Sequence, residues 1–219
     1  MNMKPIIAIS LVAIATTAAI LAGCSSPTGY QTGSRAATAL SASADNITQT
    51  SAQIERTIVA LNDLVKRPQP DLRPQFRTFT AELDNLDSIA KRVSTQADNM
   101  RSRGAAYFDQ WSQDLATIQN ENIRSRSVAR QKEVAARFQA VAANYDQAKA
   151  GLQPFLSDLR DVQRFLATDL TPGGIEAVEK FAATANEDAV PLRKSLASLA
   201  DEFREMGVSL TASVPAPKP

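Results

Sequence analysis

A seven-residue repeat of apolar side chains runs through most of this chain, and it leaves few folds open. Leu40, Ile47, Ile54 and Leu61 form one row, and Ala37, Ala44, Ser51, Ile58 and Val65 form a second. The rows alternate by steps of three and four, the seam of a long helix packed against others. The pattern returns with Phe76, Leu83, Ala90, Ala97, Gly104 and Trp111 beside Leu72, Phe79, Leu86, Val93, Met100 and Tyr107. Near Trp111 it slips by four residues through Leu115 to Ile118, a stutter. A third stretch carries Val134, Phe138, Val141, Tyr145, Ala148 and Leu152 towards Leu166, and a fourth carries Ile175, Val178, Ala182 and Ala185 towards Leu210. A strand repeats every second residue, so the spacing predicts an all-α protein.

Chain punctuation divides the repeat. Pro68, Pro70 and Pro74 close the first helix, and Asp71 is the expected N-cap of the second. Asn120-Glu121-Asn122 is the expected turn between the second and third, and Thr171-Pro172-Gly173-Gly174 separates the third and fourth. Pro154 and Pro191 fall where the seam continues across them, so each is read as a kink. At 1.5 Å per residue, helices two and three span roughly 70 Å and helices one and four roughly 50–57 Å. Short connections make neighbours antiparallel. The expected architecture is an elongated antiparallel four-helix bundle, or coiled coil, over residues 34–213. A two-helix hairpin tip, residues 107–131, should project beyond it. Small residues at Ala90, Ala97 and Gly104 should let the helices of the hairpin approach closely. On this seam Ile54→Asp should do far more damage than a substitution at Gln53.

The N-terminus reads as an address. Lys4 supplies a positive start, and residues 6–22 are nearly all apolar. At about 17 residues this stretch is at the lower limit for a membrane span. Leu21-Ala22-Gly23-Cys24 then matches the bacterial lipobox, and Cys24 is the chain's single cysteine. Residues 1–23 are expected to be a lipoprotein signal peptide that is removed. Cys24 is expected to become the N-terminus and carry palmitate-type acyl chains, the chain's attachment to the membrane. Ser25, where an Asp would favour the inner membrane, points to the outer membrane facing the periplasm. Residues 24–33, with Pro27, Gly29 and Gly33, read as a flexible tether, and residues 214–219, with three prolines, as a disordered tail.

Composition narrows the function. The 219 residues contain no His, which removes Ser-His and Cys-His nucleophile pairs, an imidazole base and histidine-ligated metals. One Cys permits no internal disulfide. Against 23 Asp and Glu stand 24 Lys and Arg, one of them in the signal, so the mature chain is formally neutral and nucleic acid is not an expected partner. No phosphate loop, nucleophile elbow or zinc pattern occurs. No enzyme activity, cofactor or metal is expected.

Three blocks carry a resemblance: Arg103-Gly104-Ala105-Ala106-Tyr107-Phe108-Asp109-Gln110-Trp111, the run from Gln153 through Pro154 and Phe155 to Leu166, and Asp169-Leu170-Thr171-Pro172-Gly173-Gly174. They resemble a family of proteobacterial lipoproteins catalogued as a domain of unknown function. The resemblance spans most of residues 61–210. It implies a helical, envelope-anchored protein and carries over no activity and no functional residue.

Two clusters are candidates for partner contact. Tyr107, Phe108 and Trp111 gather three aromatics; Tyr107 and Trp111 fall on the seam and Phe108 does not. Aromatics off a seam can supply binding energy. Arg124, Arg126, Arg130, Lys132 and Arg137 outweigh Glu121 and Glu133, a basic run suited to an acidic protein or an anionic envelope polymer. The plainer reading of each is a core cluster and a solvated helix face, with Glu133 pairing Arg137. Asp84 with Asp87 and Asp158 with Asp161 read as surface ion pairs, Asp87 with Lys91 and Asp161 with Arg164. The expected function is a non-enzymatic envelope scaffold or adaptor; the alternative is a periplasmic lipid or polypeptide carrier, which would need a cavity of several hundred Å³ between the helices.

Overall fold

The computed structural model describes residues 28–211. The expected signal peptide, the expected acylation site Cys24 and the expected disordered tail at 214–219 lie outside the described residues. Four helices follow one another: α1 (Gly29–Lys66), α2 (Arg73–Thr117), α3 (Glu121–Thr168) and α4 (Pro172–Ser209). Among the described residues there is no strand, so the all-α reading holds.

The ends of the helices have local causes. Arg67 is the last residue before Pro68, and its N–H reaches back to the Asp63 carbonyl at 3.3 Å. Gln75, nearly buried, stoppers this end: its amide nitrogen lies within 3.0 Å of the Asp63 and Arg67 carbonyls and the Asp63 carboxylate. It thereby satisfies acceptors that the end of a helix leaves open. The N-cap of α2 is Leu72, one residue later than expected. Asp71 still accepts from the Arg73 backbone N–H at 3.1 Å, but its carboxylate is engaged by the Arg73 guanidinium, which also holds its pKa below the usual value. Asn120 caps α3 by accepting from Ile123 N–H at 3.1 Å, and Thr171 caps α4 by accepting from Gly174 N–H at 3.1 Å. Pro154 and Pro191 lie within continuous helices, as the unbroken seam required.

The start of α1 departs from the expectation. Composition predicts a flexible tether over residues 24–33, yet residues 29–33 are helical. The Thr28 backbone N–H donates to Gln31 Oε1 at 3.0 Å and starts the helix there. Gly33 reads as a linker residue but serves close packing: a Cβ on it would stand 2.9 Å from the Leu210 carbonyl and 3.1 Å from the Tyr107 ring.

The helices form a ring in which α1 packs on α2 and α4, and α3 packs on the same two from the far side. α1 and α3 are diagonal. α1 lies closest to its neighbours, because the face it presents is built from small residues. Ala36, Ser43, Thr50, Thr57 and Leu64 form a third buried row beside the two apolar ones. Cross-helix polar pairs set the register. Asn62 and Asn186 exchange amide hydrogen bonds at 2.7 and 2.9 Å between α1 and α4, and Arg193 pairs with Glu55. Phe79, Phe203, Leu40, Ile47, Ile54 and Leu61 are among the largest fully buried side chains.

Gln53, expected to be far less sensitive than Ile54, is 2% exposed. Its amide donates to the Glu82 carbonyl at 2.9 Å and to the Glu82 carboxylate at 2.6 Å, and its own oxygen accepts from Arg56. Thr57 donates to the same Glu82 carbonyl at 3.1 Å. This polar strip holds α1 to α2 inside a seam that apolar spacing alone does not reveal.

Candidate functional site: the hairpin end of the bundle

The α2–α3 hairpin is the region that carries both candidate clusters, and the structure shortens it. α1 begins at Gly29, five residues earlier than the bundle was expected to start, which adds about 7 Å of cover. A Cβ on Gly29 would stand 2.8 Å from the Asp114 carboxylate. Tyr30 and Leu210 line the same shallow groove as Tyr107, Trp111 and Leu115. The first turn of α1 and the last turn of α4 therefore cover α2 as far as Leu115. The projecting tip is the loop after Thr117 and the first turns of α3, not residues 107–131.

The aromatic cluster belongs to the core. Phe108 is partly buried and meets Phe138 of α3 edge-on, with ring centres 5.7 Å apart, and Tyr107 at 5.2 Å. The Tyr107 and Trp111 rings meet at a tilt, with centres 5.5 Å apart. The Trp111 indole N–H donates to Ser127 Oγ at 3.0 Å, and the Gln131 amide donates to the Phe108 carbonyl at 3.1 Å and to Ser112 at 2.7 Å. Burial pushes the Tyr107 hydroxyl pKa up, with Arg130 opposing. Phe108 is off the heptad rows of α2 yet inside, because Gly104 lets α3 come very close. A Cβ on Gly104 would stand 2.7 Å from both Cε atoms of Phe138. Phe108 thus packs against the core as a half-buried residue and does not stand out as an exposed aromatic.

The basic run is exposed, and part of it is already paired. Arg124 pairs with Glu121, and Glu133 lies between Arg130 at 2.9 Å and Arg137 at 3.0 Å. Hydrogen bonding from Arg130 holds the Glu133 carboxyl below its usual pKa. The expected Glu133–Arg137 pair is present. Arg126 and Lys132 are exposed and make no ion pair among the described residues. Exposed pairs of this kind contribute about 0–1 kcal/mol each, so the run does not hold the fold together.

The carboxylate pairs separate. Asp161 pairs with Arg164 at 2.5 Å, as expected. Asp87 does not take Lys91; it is gripped by the Nε and Nη2 donors of Arg160 across the α2–α3 seam. A bidentate partner on the facing helix wins over a flexible amine one turn away. Among the described residues no group of His, Cys, Asp or Glu has a metal-binding arrangement.

Beside that ion pair the α2–α3 seam opens into a crevice of about 240 Å³, floored by Ile47, Ala90, Val93, Leu152 and Leu156. Lys91 and Lys149 stand at its rim, with Lys149 Nζ donating to Ser94 at 3.0 Å. Ala90 and Val93 are seam residues by spacing, yet both are only half-buried here. At the other end of the rod, an open groove of about 830 Å³ runs between the two proline-bearing connections, lined by Pro68, Pro70, Leu72, Leu170 and Ile175. Nothing in the heptad pattern signals either feature. The prolines at 68, 70 and 172 are the one sequence trace of the second.

No described helix is long and apolar enough to cross a membrane. Residues 28–206 match the family described as protein of unknown function (DUF2959), and the chain belongs to that family. The match begins one residue before α1 and ends within the last turn of α4, so it covers the four-helix unit. No curated protein and no solved structure matches the chain.

Proposed function

We propose that this chain is a non-enzymatic bacterial envelope lipoprotein, acylated on Cys24, whose bundle serves as a helical scaffold or adaptor. The observation that carries the proposal is the start of α1 at Gly29, immediately after Thr28 and close behind the lipobox Cys24. A rigid rod follows an acylation sequence with hardly any slack. Its longest helix, α3, has 48 residues, so the rod holds its far end about 70 Å from its near end. The groove between the proline-bearing connections is the surface available there for a partner. Ser25 favours the outer membrane, with the bundle in the periplasm. The absence of His from the sequence supports a structural rather than a catalytic role.

Mass spectrometry of the protein purified from membranes is expected to show Cys24 as the N-terminal residue, carrying acyl chains. An intact Met1, or an unmodified Cys24, would end the lipoprotein reading. In-cell crosslinking with probes along the rod is expected to capture a partner at the far groove. Uniform crosslinking along the rod, or none, argues against an adaptor.

The α2–α3 crevice supports a second reading, a lipid or polypeptide carrier. Its floor is apolar and its rim cationic, but about 240 Å³ is below the range of roughly 300–1,000 Å³ typical of ligand pockets. The scaffold reading is the better supported. A fluorescent fatty acid that binds stoichiometrically, and is displaced by filling the crevice with Ala90→Leu, would reverse that order.

A further inference from the structure

The position of Thr28 decides which end of the rod lies beside Cys24. Thr28 and Gly29 sit next to Asp114 at the hairpin end, and α4 finishes there too, with the Leu210 carbonyl against Gly33. Four residues of chain reach at most about 14 Å. A tip far from the lipid needs α1 to start near mid-rod and a tether that folds back along the rod. With α1 helical from Gly29, that geometry is gone: lipid site and hairpin loop share one end.

That end has the chemistry of a membrane surface. Of the seven exposed large apolar side chains among the described residues, three gather here: Tyr30, Ile123 and Val208, at 67%, 57% and 49%, on the first turn of α1, the first turn of α3 and the last turn of α4. Arg126 and Lys132 stand exposed on α3 without an acidic partner among the described residues. Arg124 and Arg130 add two exposed guanidinium groups, each shared with a glutamate. Asp114 is turned inward beneath Gly29 and accepts from Gln110 at 2.9 Å. Apolar and aromatic residues flanked by Arg and Lys suit the boundary between headgroups and acyl chains.

We propose that the hairpin end binds the anionic headgroups of the leaflet that holds Cys24, with Arg126 and Lys132 as the principal contacts and Ile123 and Tyr30 entering the interface. The proposal rests on the lipid-anchor reading. The anchor supplies a high local concentration, so a patch too weak to bind alone is occupied once tethered. The two contacts together stand the rod away from the membrane instead of letting it swing.

Trp111 is the chain's single tryptophan and lies about 9 Å along α2 from its last residue, which makes it a built-in depth probe. The full acylated protein is reconstituted into vesicles of neutral phosphatidylcholine, or of the same lipid with phosphatidylglycerol, each containing headgroup-spin-labelled lipid. Flotation reports anchoring, and Trp111 quenching reports the hairpin end. Quenching is expected to be at least twofold greater in the anionic vesicles. It should fall to the neutral level at high salt and in Arg126→Glu with Lys132→Glu, whose helicity should match the parent. If the protein floats but quenching ignores both lipid charge and the double variant, the headgroup contact is wrong and the anchor stands. If it does not float, the anchor is wrong and the contact falls with it. If a soluble anionic polysaccharide retains the parent and not the variant, with no difference between vesicles, the surface belongs to an envelope polymer and the lipid proposal is overturned.

Discussion

Ile54→Asp is expected to abolish the cooperative unfolding transition of the bundle, or to lower its stability by about 5 kcal/mol or more. Ile54 is fully buried on the row of α1 that also carries Leu40, Ile47 and Leu61. The substitution removes the burial of a four-carbon side chain and puts a carboxyl group where nothing can pair with it. A domain of this kind has a total stability of about 5–15 kcal/mol, so one such loss is a large share of it. The neighbouring Gln53→Ala is expected to cost about 1–3 kcal/mol, because it removes a 2%-exposed side chain and the amide that ties α1 to the Glu82 carbonyl and carboxylate. Thermal melts followed by circular dichroism, at matched concentration, rank the two. Equal melting points for the parent and the Gln53 variant would mean that the polar strip between α1 and α2 carries no net stability.

Phe138→Ala is expected to cost about 3–5 kcal/mol, the usual range for removing a buried aromatic ring, and it should reverse the sign of a second change. Gly104→Ala in the parent gains about 1 kcal/mol of helix propensity but drives a methyl group into the Phe138 ring. Overpacking of that kind costs about 1–3 kcal/mol, so the single variant should be destabilised. With the ring gone, the same Gly104→Ala should stabilise. A double-mutant cycle from denaturant unfolding measures the coupling. Additive effects would mean that α2 and α3 do not meet at this socket.

The helices themselves were legible because their largest side chains repeat. Leu40, Ile47, Ile54 and Leu61, and likewise Tyr145, Leu152 and Leu159, are buried where spacing placed them. The small and polar contacts were not legible. Thr50, Gln53 and Thr57 are buried because Glu82 of another helix supplies their partner, and apolar spacing does not count such residues. Gly33 has the look of a linker, and only the Leu210 carbonyl and the Tyr107 ring reveal why a side chain is excluded. Phe108 was read outside the core since its heptad position ignores how near α3 comes at Gly104. The hairpin end is not legible in the sequence for a related reason: its cover depends on the first turn of α1, which local composition disguises as a tether.

The placement of α1 has a bearing on how the molecule is made. Its broad buried face is shared between α2, its neighbour in sequence, and α4, which is completed last. A chain made in order from its N-terminus brings out α1 well before the residues of α4 that close over it, Gly207 against Ala37 and Leu40 among them. Until then Leu40, Ala44 and Ile47 lack one wall of their environment. Contacts so distant along the chain slow the final assembly and leave apolar surface open to aggregation while it is incomplete. A product cut short within α4 would keep that surface permanently uncovered, so loss of the last two turns should be punished through proteolysis of the whole chain, including parts it never touches.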